Sequence, residues 1–127
     1  MMKEDEISKY VFEHRLVSIM NNTKWKEMVK EITTDPDYNP SVNIKCIFDK
    51  DNNGGFCPVW WDEVERDGFK LIEWLEINPI KEERVGALVS PKVTDYTGFV
   101  RSALEKHKIP YEINGKIFKI LGYQRVK

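Results

Sequence analysis

The sequence predicts an α+β domain, with an antiparallel or mixed sheet of about five strands and three helices packed mainly on one face. Three observations carry that expectation. Apolar residues recur at helical spacing in three segments, and they alternate with polar residues in several others. No regular strand-helix-strand succession runs along the chain, and a parallel sheet needs one.

Residues 4–20 place Ile7, Val11, Leu16 and Ile19 among charged side chains with no internal Gly or Pro, which predicts an opening helix. Asn21, Asn22 and Thr23 then offer short side-chain acceptors that cap helices. Trp25, Met28, Val29 and Ile32 follow at i, i+3, i+4 and i+7, a second helix. The Pro- and Asp-rich stretch 33–40 turns the chain. Val42, Ile44, Cys46 and Phe48 alternate with Asn43, Lys45 and Ile47, the period of a half-buried strand. Residues 49–55 read as a hairpin loop, with a return strand over 56–61 that Pro58 places at an edge or bulge.

The acidic stretch 62–68 suggests one helical turn. Residues 69–77 form the most strand-like run, with Phe69, Leu71, Glu73, Leu75 and Ile77 on one face and Lys70, Ile72, Trp74 and Glu76 on the other. Both faces carry apolar bulk, so this strand is expected at the centre of the sheet, ended by Pro79. A short strand is expected over 85–89. Thr94 is expected to cap a helix carrying Tyr96, Phe99, Val100, Ala103, Leu104 and His107. Last comes a hairpin, 111–113 and 116–123, turning on Asn114-Gly115 in a type I′ turn.

A chain of 127 residues with 41% hydrophobic and 32% charged residues has the length and make-up of one globular domain, here 1–127, with 1–20 as an N-terminal helical extension. No apolar run reaches the roughly 18 residues of a membrane helix. The acidic opening through Glu6 lacks the layout of a secretion signal, and Cys46 and Cys57 are too few for a disulfide framework. A cytoplasmic protein is therefore expected, away from membranes. The formal net charge of -1 gives no global pull toward nucleic acid. Charge is nevertheless uneven, with acids in excess over 49–83 and bases over 101–127.

The blocks Asn21-Asn22-Thr23-Lys24-Trp25, Ile72-Glu73-Trp74-Leu75-Glu76-Ile77 and Ile109-Pro110-Tyr111-Glu112 resemble, in matching order, a family of short uncharacterised bacterial proteins catalogued as a domain of unknown function. The resemblance implies a bacterial cytoplasmic protein and transfers no catalytic residue.

Several groups carry residue types suited to chemistry. Asp49, Asp51 and Asn53 followed by Gly54 match the first half of a calcium loop, but Trp60 stands where the bidentate glutamate belongs, and hairpin turn chemistry explains the same residues. Cys46 and Cys57 are equidistant from the loop centre, so a regular hairpin would set them opposite each other. Two reduced thiols remain the simpler reading, since His14 and His107 stand at no metal-like spacing to them. No nucleophile elbow or phosphate loop is present, and neither a metal nor a cofactor is expected. The C-terminal hairpin mixes Tyr111, Phe118 and Tyr123 with Lys116, Lys119, Arg125 and Lys127, yet alternation separates the rings from the charges, and nucleic acid is not the expected partner.

Two groups stand out. Glu73 shares its expected face with four apolar residues, where burial would raise its pKa unless a cation pairs with it. Trp60, Trp61 and Trp74 lie among Asp62, Glu63, Glu65 and Asp67, a mixture suited to contacting a basic protein. The expected function is accordingly a non-enzymatic interaction protein of the immunity or regulatory kind. Its binding residues would be Trp60, Trp61, Asp62, Glu63, Glu65, Glu73 and Trp74. The alternative is a small enzyme in which Glu73 works with His107 or a cysteine.

Overall fold

The computed structural model describes residues 4–49, 55–84 and 86–126. Helix α1 (Glu4–Glu13) ends earlier than the helix expected over 4–20. Arg15 takes a positive φ of 53° and reverses the chain, so Leu16 opens strand β1 (Leu16–Ser18). The run Leu16-Val17-Ser18-Ile19 suits an extended backbone as well as a helical one, and pairing with a distant strand decides it.

Helix α2 (Asn22–Ile32) starts where the sequence places it. The Asn21 side-chain oxygen accepts from the Lys24 N–H at 2.8 Å, and Trp25, Met28 and Ile32 are buried. Strand β2 (Ser41–Cys46) follows the turn over 33–40. No return strand forms over 56–61: Cys57 makes a single bridge to Val42, and the chain then enters helix α3 (Trp61–Asp67), longer than the one turn expected. Pro58 has no N–H to continue the ladder. Of the hairpin loop expected over 49–55, positions 50–54 lie outside the described residues.

A turn of 3-10 helix at Phe69–Leu71 precedes β3 (Ile72–Asn78), so the long strand expected from 69 begins three residues later. After Pro79 come β4 (Ile80–Glu83) and β5 (Lys92–Asp95), an antiparallel ribbon. The stretch expected as a strand over 85–89 instead belongs to the segment joining them, with Val85 outside the described residues. Thr94 lies within β5, and the N-cap of α4 (Thr97–Lys106) is Tyr96, which makes no side-chain cap bond; the Asp95 carboxylate just before it accepts from the Thr97 N–H at 2.8 Å.

The final hairpin is β6 (Glu112–Asn114) and β7 (Ile117–Leu121), continued past Gly122 by β8 (Tyr123–Arg125). Asn114 pairs with Ile117, so the two loop residues are Gly115 and Lys116. Only Gly115 has a positive φ, 65°. A type I′ turn needs positive φ at both positions, so the turn is not the one expected on Asn114-Gly115.

Among the described residues, four α-helices and eight strands make up an α+β fold with three antiparallel sheets, ordered β2-β3-β7-β6, β1-β8 and β4-β5. The count differs from five because β1 and β5 form where no strand was expected, the strands expected over 56–61 and 85–89 do not form, and two runs are broken. Pro79 separates β4 from β3, and Gly122 separates β8 from β7. Gly122 is obligatory, because a Cβ there would collide with the Ile72 carbonyl oxygen.

The register sets Leu75 against Ile120 and Ile77 against Phe118 and Val42, giving one apolar sheet face. α2 contributes Trp25, Met28 and Ile32 to the core against that face, and α4 contributes Val100, Ala103 and Leu104. The Val, Leu, Ile and Met side chains among them, fully buried, each stabilise the fold by roughly 1.5–3 kcal/mol. A satellite core of Ile7, Leu16 and Ile47, flanked by Tyr10, Phe48, Leu71 and Tyr123, ties α1 to the β1-β8 pair.

Candidate functional site

A bulge in β3 decides what Glu73 can do. Lys45 stands opposite Trp74 and Cys46 opposite Ile72, which leaves Glu73 as an extra residue with no partner across the strand. The bulge shifts the phase of alternation, so Ile72 joins Leu75 and Ile77 in the core and Glu73 leaves the apolar face that a regular strand would give it. Its carboxylate meets cations there. Oε2 accepts from Lys45 Nζ at 3.1 Å, and Oε1 lies 3.7 Å from an Arg125 guanidinium nitrogen. With the Glu73 and Lys45 side chains only 15% and 12% exposed, this is a largely desolvated ion pair.

His107, its suggested catalytic companion, is elsewhere. It caps the end of α4, with Nδ1 3.0 Å from Glu27 and Nε2 3.1 Å from Glu31, two carboxylates one turn apart on α2. Lys106 reaches the same Glu31 oxygen at 2.8 Å. These bonds hold the Glu31 carboxyl below its ordinary value, Lys106 contributing most and His107 next. The group is a clamp between two helices.

Neither cysteine supplies a nucleophile beside Glu73. Cys57 pairs with Val42, so the two cysteines do not face each other, and both are free thiols. Cys46 is half-buried, and desolvation pushes its thiol upward, away from the reactive thiolate. Among the described residues no three His, Cys, Asp or Glu side chains are grouped to hold a metal ion.

The tryptophans and acids of 60–67 form a different kind of surface. Trp60 sits at the N-terminus of α3 with 80% of its surface exposed, and its carbonyl accepts from the N–H groups of Glu63 and Val64. Trp61 and Val64 turn inward and pack against the main core. The Trp61 Nε1 is buried without a hydrogen-bond partner among the described residues. Asp62, Glu63 and Glu65 therefore point to solvent on the remaining faces. Asp62 and Glu63 also favour the positive end of this short helix, while Glu65 lies 3.6 Å from Lys26 on α2, a mostly exposed pair.

Between α3 and the end of α2 runs a groove of about 510 Å³, lined by Val29, Thr33, Pro58, Val59, Trp60 and Trp61. Phe56, 40% exposed, precedes it. Of the seven binding residues read from the sequence, the fold exposes Trp60, Asp62, Glu63 and Glu65 on α3 and its head, whereas Trp61 turns toward the core and the groove. Trp74 is placed apart on the sheet face opposite the main core, where it faces Lys45 across the ladder and carries Lys119 Nζ 4.7 Å over its ring. Sequence reasoning missed the groove wall from α2, and Val29 and Thr33 carry no local signal for it.

No helix among the described residues is long and apolar enough to cross a membrane. Neither the curated proteins nor the solved structures hold a match to this chain. A family model does match, over residues 7–127, and the chain belongs to that family of unknown function (DUF6678).

Proposed function

We propose that this chain is a binding protein, and that Trp60 with the acids of α3 is the surface that engages a basic protein partner. The single observation carrying this reading is Trp60, a large aromatic side chain 80% exposed at the head of a helix bearing Asp62, Glu63 and Glu65. Tryptophan is the residue type most enriched at binding hot spots, and a monomer gains nothing by leaving it in water. The groove beside it offers an apolar seat, and the acids steer and orient a cationic partner. An immunity or regulatory protein of the bacterial cytoplasm fits this arrangement, since such proteins work by occupying a partner's surface without chemistry of their own.

The test is a pull-down from the source cell extract with wild-type protein and with Trp60→Ala and Glu63→Lys. Wild type retains a basic protein that salt elutes, and both variants lose it. Retention of the same protein by both variants overturns the reading. Trp61 is unsuitable for this test, because its side chain packs on the core.

A further inference from the structure

The β4-β5 ribbon carries an observation that neither the core nor the Trp60 surface uses. Leu88 at its tip is 101% exposed, with Val89 at 60% and Val93 at 58%, a concentration of bare apolar side chains on one short projection. A two-stranded ribbon is marginal in water and gains from a further strand. Its backbone shows which edge is available. The Tyr96 N–H donates to the Pro79 carbonyl at 2.8 Å, and residues 96 and 79 extend the register that pairs Ile80 with Asp95. They form a hydrogen-bonded pair. Alternation along the antiparallel ladder then bonds Thr94 to Lys81 and Lys92 to Glu83, and turns the backbone groups of Val93 and Asp95 outward.

The two edges are not equivalent. On β4 the corresponding outward groups belong to Ile80 and Glu82, and the Ile80 N–H is already taken by the Asn78 side chain at 3.0 Å. A two-fold axis at Lys81 or Glu82 would also set like charges opposite each other. On β5 an axis at Val93 sets valine against valine and Lys92 against Thr94. Charge over the whole ribbon balances, with Lys81, Arg84 and Lys92 against Glu82, Glu83 and Asp95.

We propose that β5 is a self-pairing edge, through which two copies of this chain join their ribbons into one four-stranded antiparallel sheet, β4-β5-β5-β4. Antiparallel pairing of identical strands across a two-fold axis is isologous and closes as a dimer. Val93 exchanges both of its backbone bonds with Val93 of the second copy. Each Asp95 N–H donates to the other copy's Pro91 carbonyl, a position where proline's missing N–H loses only the reciprocal bond. Beyond the strands the register ends, at the turn over 87–89 on one side and at α4 on the other, but the antiparallel pairing still directs the tip of each ribbon toward the head of the second copy's α4. Gly98 presents no Cβ and has open space there. Half-buried Tyr96 and Phe99 stand next to it, their ring centroids 6.2 Å apart. The tip therefore leaves water in the dimer. This inference is independent of the Trp60 reading, which concerns α3 and a different partner.

Sedimentation of the full chain over a concentration series gives the first test, and site-directed crosslinking the second. The expected result is a monomer-dimer equilibrium that Leu88→Asp shifts to monomer with an unchanged far-ultraviolet spectrum, since the Leu88 side chain is fully exposed in the monomer. Cα atoms of a hydrogen-bonded antiparallel pair lie about 5.5 Å apart, within the disulfide window. In a Cys57→Ser background, Val93→Cys should crosslink two copies on mild oxidation, and Thr94→Cys at least ~10-fold more slowly, because it faces Lys92 instead of itself. A chain that stays monomeric up to about 0.5 mM overturns the proposal, a concentration at which even a weak interface would populate the dimer. Equal crosslinking rates for the two cysteine variants overturn it as well.

Discussion

Two parts of this molecule have nearly the same composition and opposite fates. Glu73-Trp74 on β3 and Trp60-Trp61-Asp62-Glu63 at the head of α3 both set tryptophan beside acid. Glu73 is enclosed by Lys45 and Arg125, and Trp74 is covered by Lys119. Trp60 is left in water with acids around it. The difference lies in the neighbours. A central strand has a strand on each side to supply cations, whereas the start of a short surface helix has none. Acid beside tryptophan is therefore enclosed within the sheet in the first place and left open to solvent in the second, the surface to which the proposed function assigns recognition.

The largest expected effect breaks the enclosed region at its seat. Gly122 lets β7 approach the Ile72 carbonyl, and its N–H donates to the Glu73 carbonyl at 2.8 Å. Gly122→Val should cost about 3 kcal/mol or more, read as a loss of denaturation midpoint, because backbone must move to accept the side chain. Next comes Lys45→Met, which leaves the Glu73 carboxylate mostly desolvated with only Arg125 near it. About 2 kcal/mol of destabilisation is expected, and adding Glu73→Gln should recover most of it, because the loss comes from the uncompensated charge.

A smaller effect is visible through pH. The folded Glu31 carboxyl titrates below its ordinary value of 4.5, held down by Lys106 first and His107 second. Its contribution is thus fully present above about 4.5, the unfolded value, and disappears as the pH falls through the lower folded one. Thermal midpoints of wild type and Glu31→Gln should differ at pH 5 and converge on further acidification. A gap that stayed fully open well below pH 4 would contradict the clamp. Smallest of all, Trp60→Ala should change stability by less than about 0.5 kcal/mol, because its ring packs against little, and this separates it from Lys45→Met on the same assay.

Much of this architecture was legible in the sequence, and the failures share a cause. The start of α2, the body of α4 and the central position of β3 follow from caps and apolar spacing, which act within one turn or one strand. Residues 14–19 carry helical spacing yet leave the helix, because a strand at Leu16–Ser18 exists only through pairing with Tyr123–Arg125, more than a hundred residues away. Glu73 was given the wrong face because a bulge answers to the partner strand and leaves no mark on the alternation of its own residues. The turn moved one residue because Asn114 pairs with Ile117, leaving Gly115 as the first loop residue. At the candidate site the same rule holds. The acids and tryptophans of 60–65 are contiguous and could be read together, whereas the separation of Trp74 and the groove wall from α2 are tertiary facts.

Under the proposed function, the exposed Trp60 surface recognises a basic protein. The most direct measurement is a calorimetric titration of the captured partner into wild type, Trp60→Ala and Lys45→Met at low and high salt, each variant kept below its own unfolding temperature. The predicted result is salt-weakened binding by wild type and Lys45→Met alike, with at least a tenfold loss for Trp60→Ala, about 1.4 kcal/mol. Binding that is indifferent to Trp60 and to salt would contradict it.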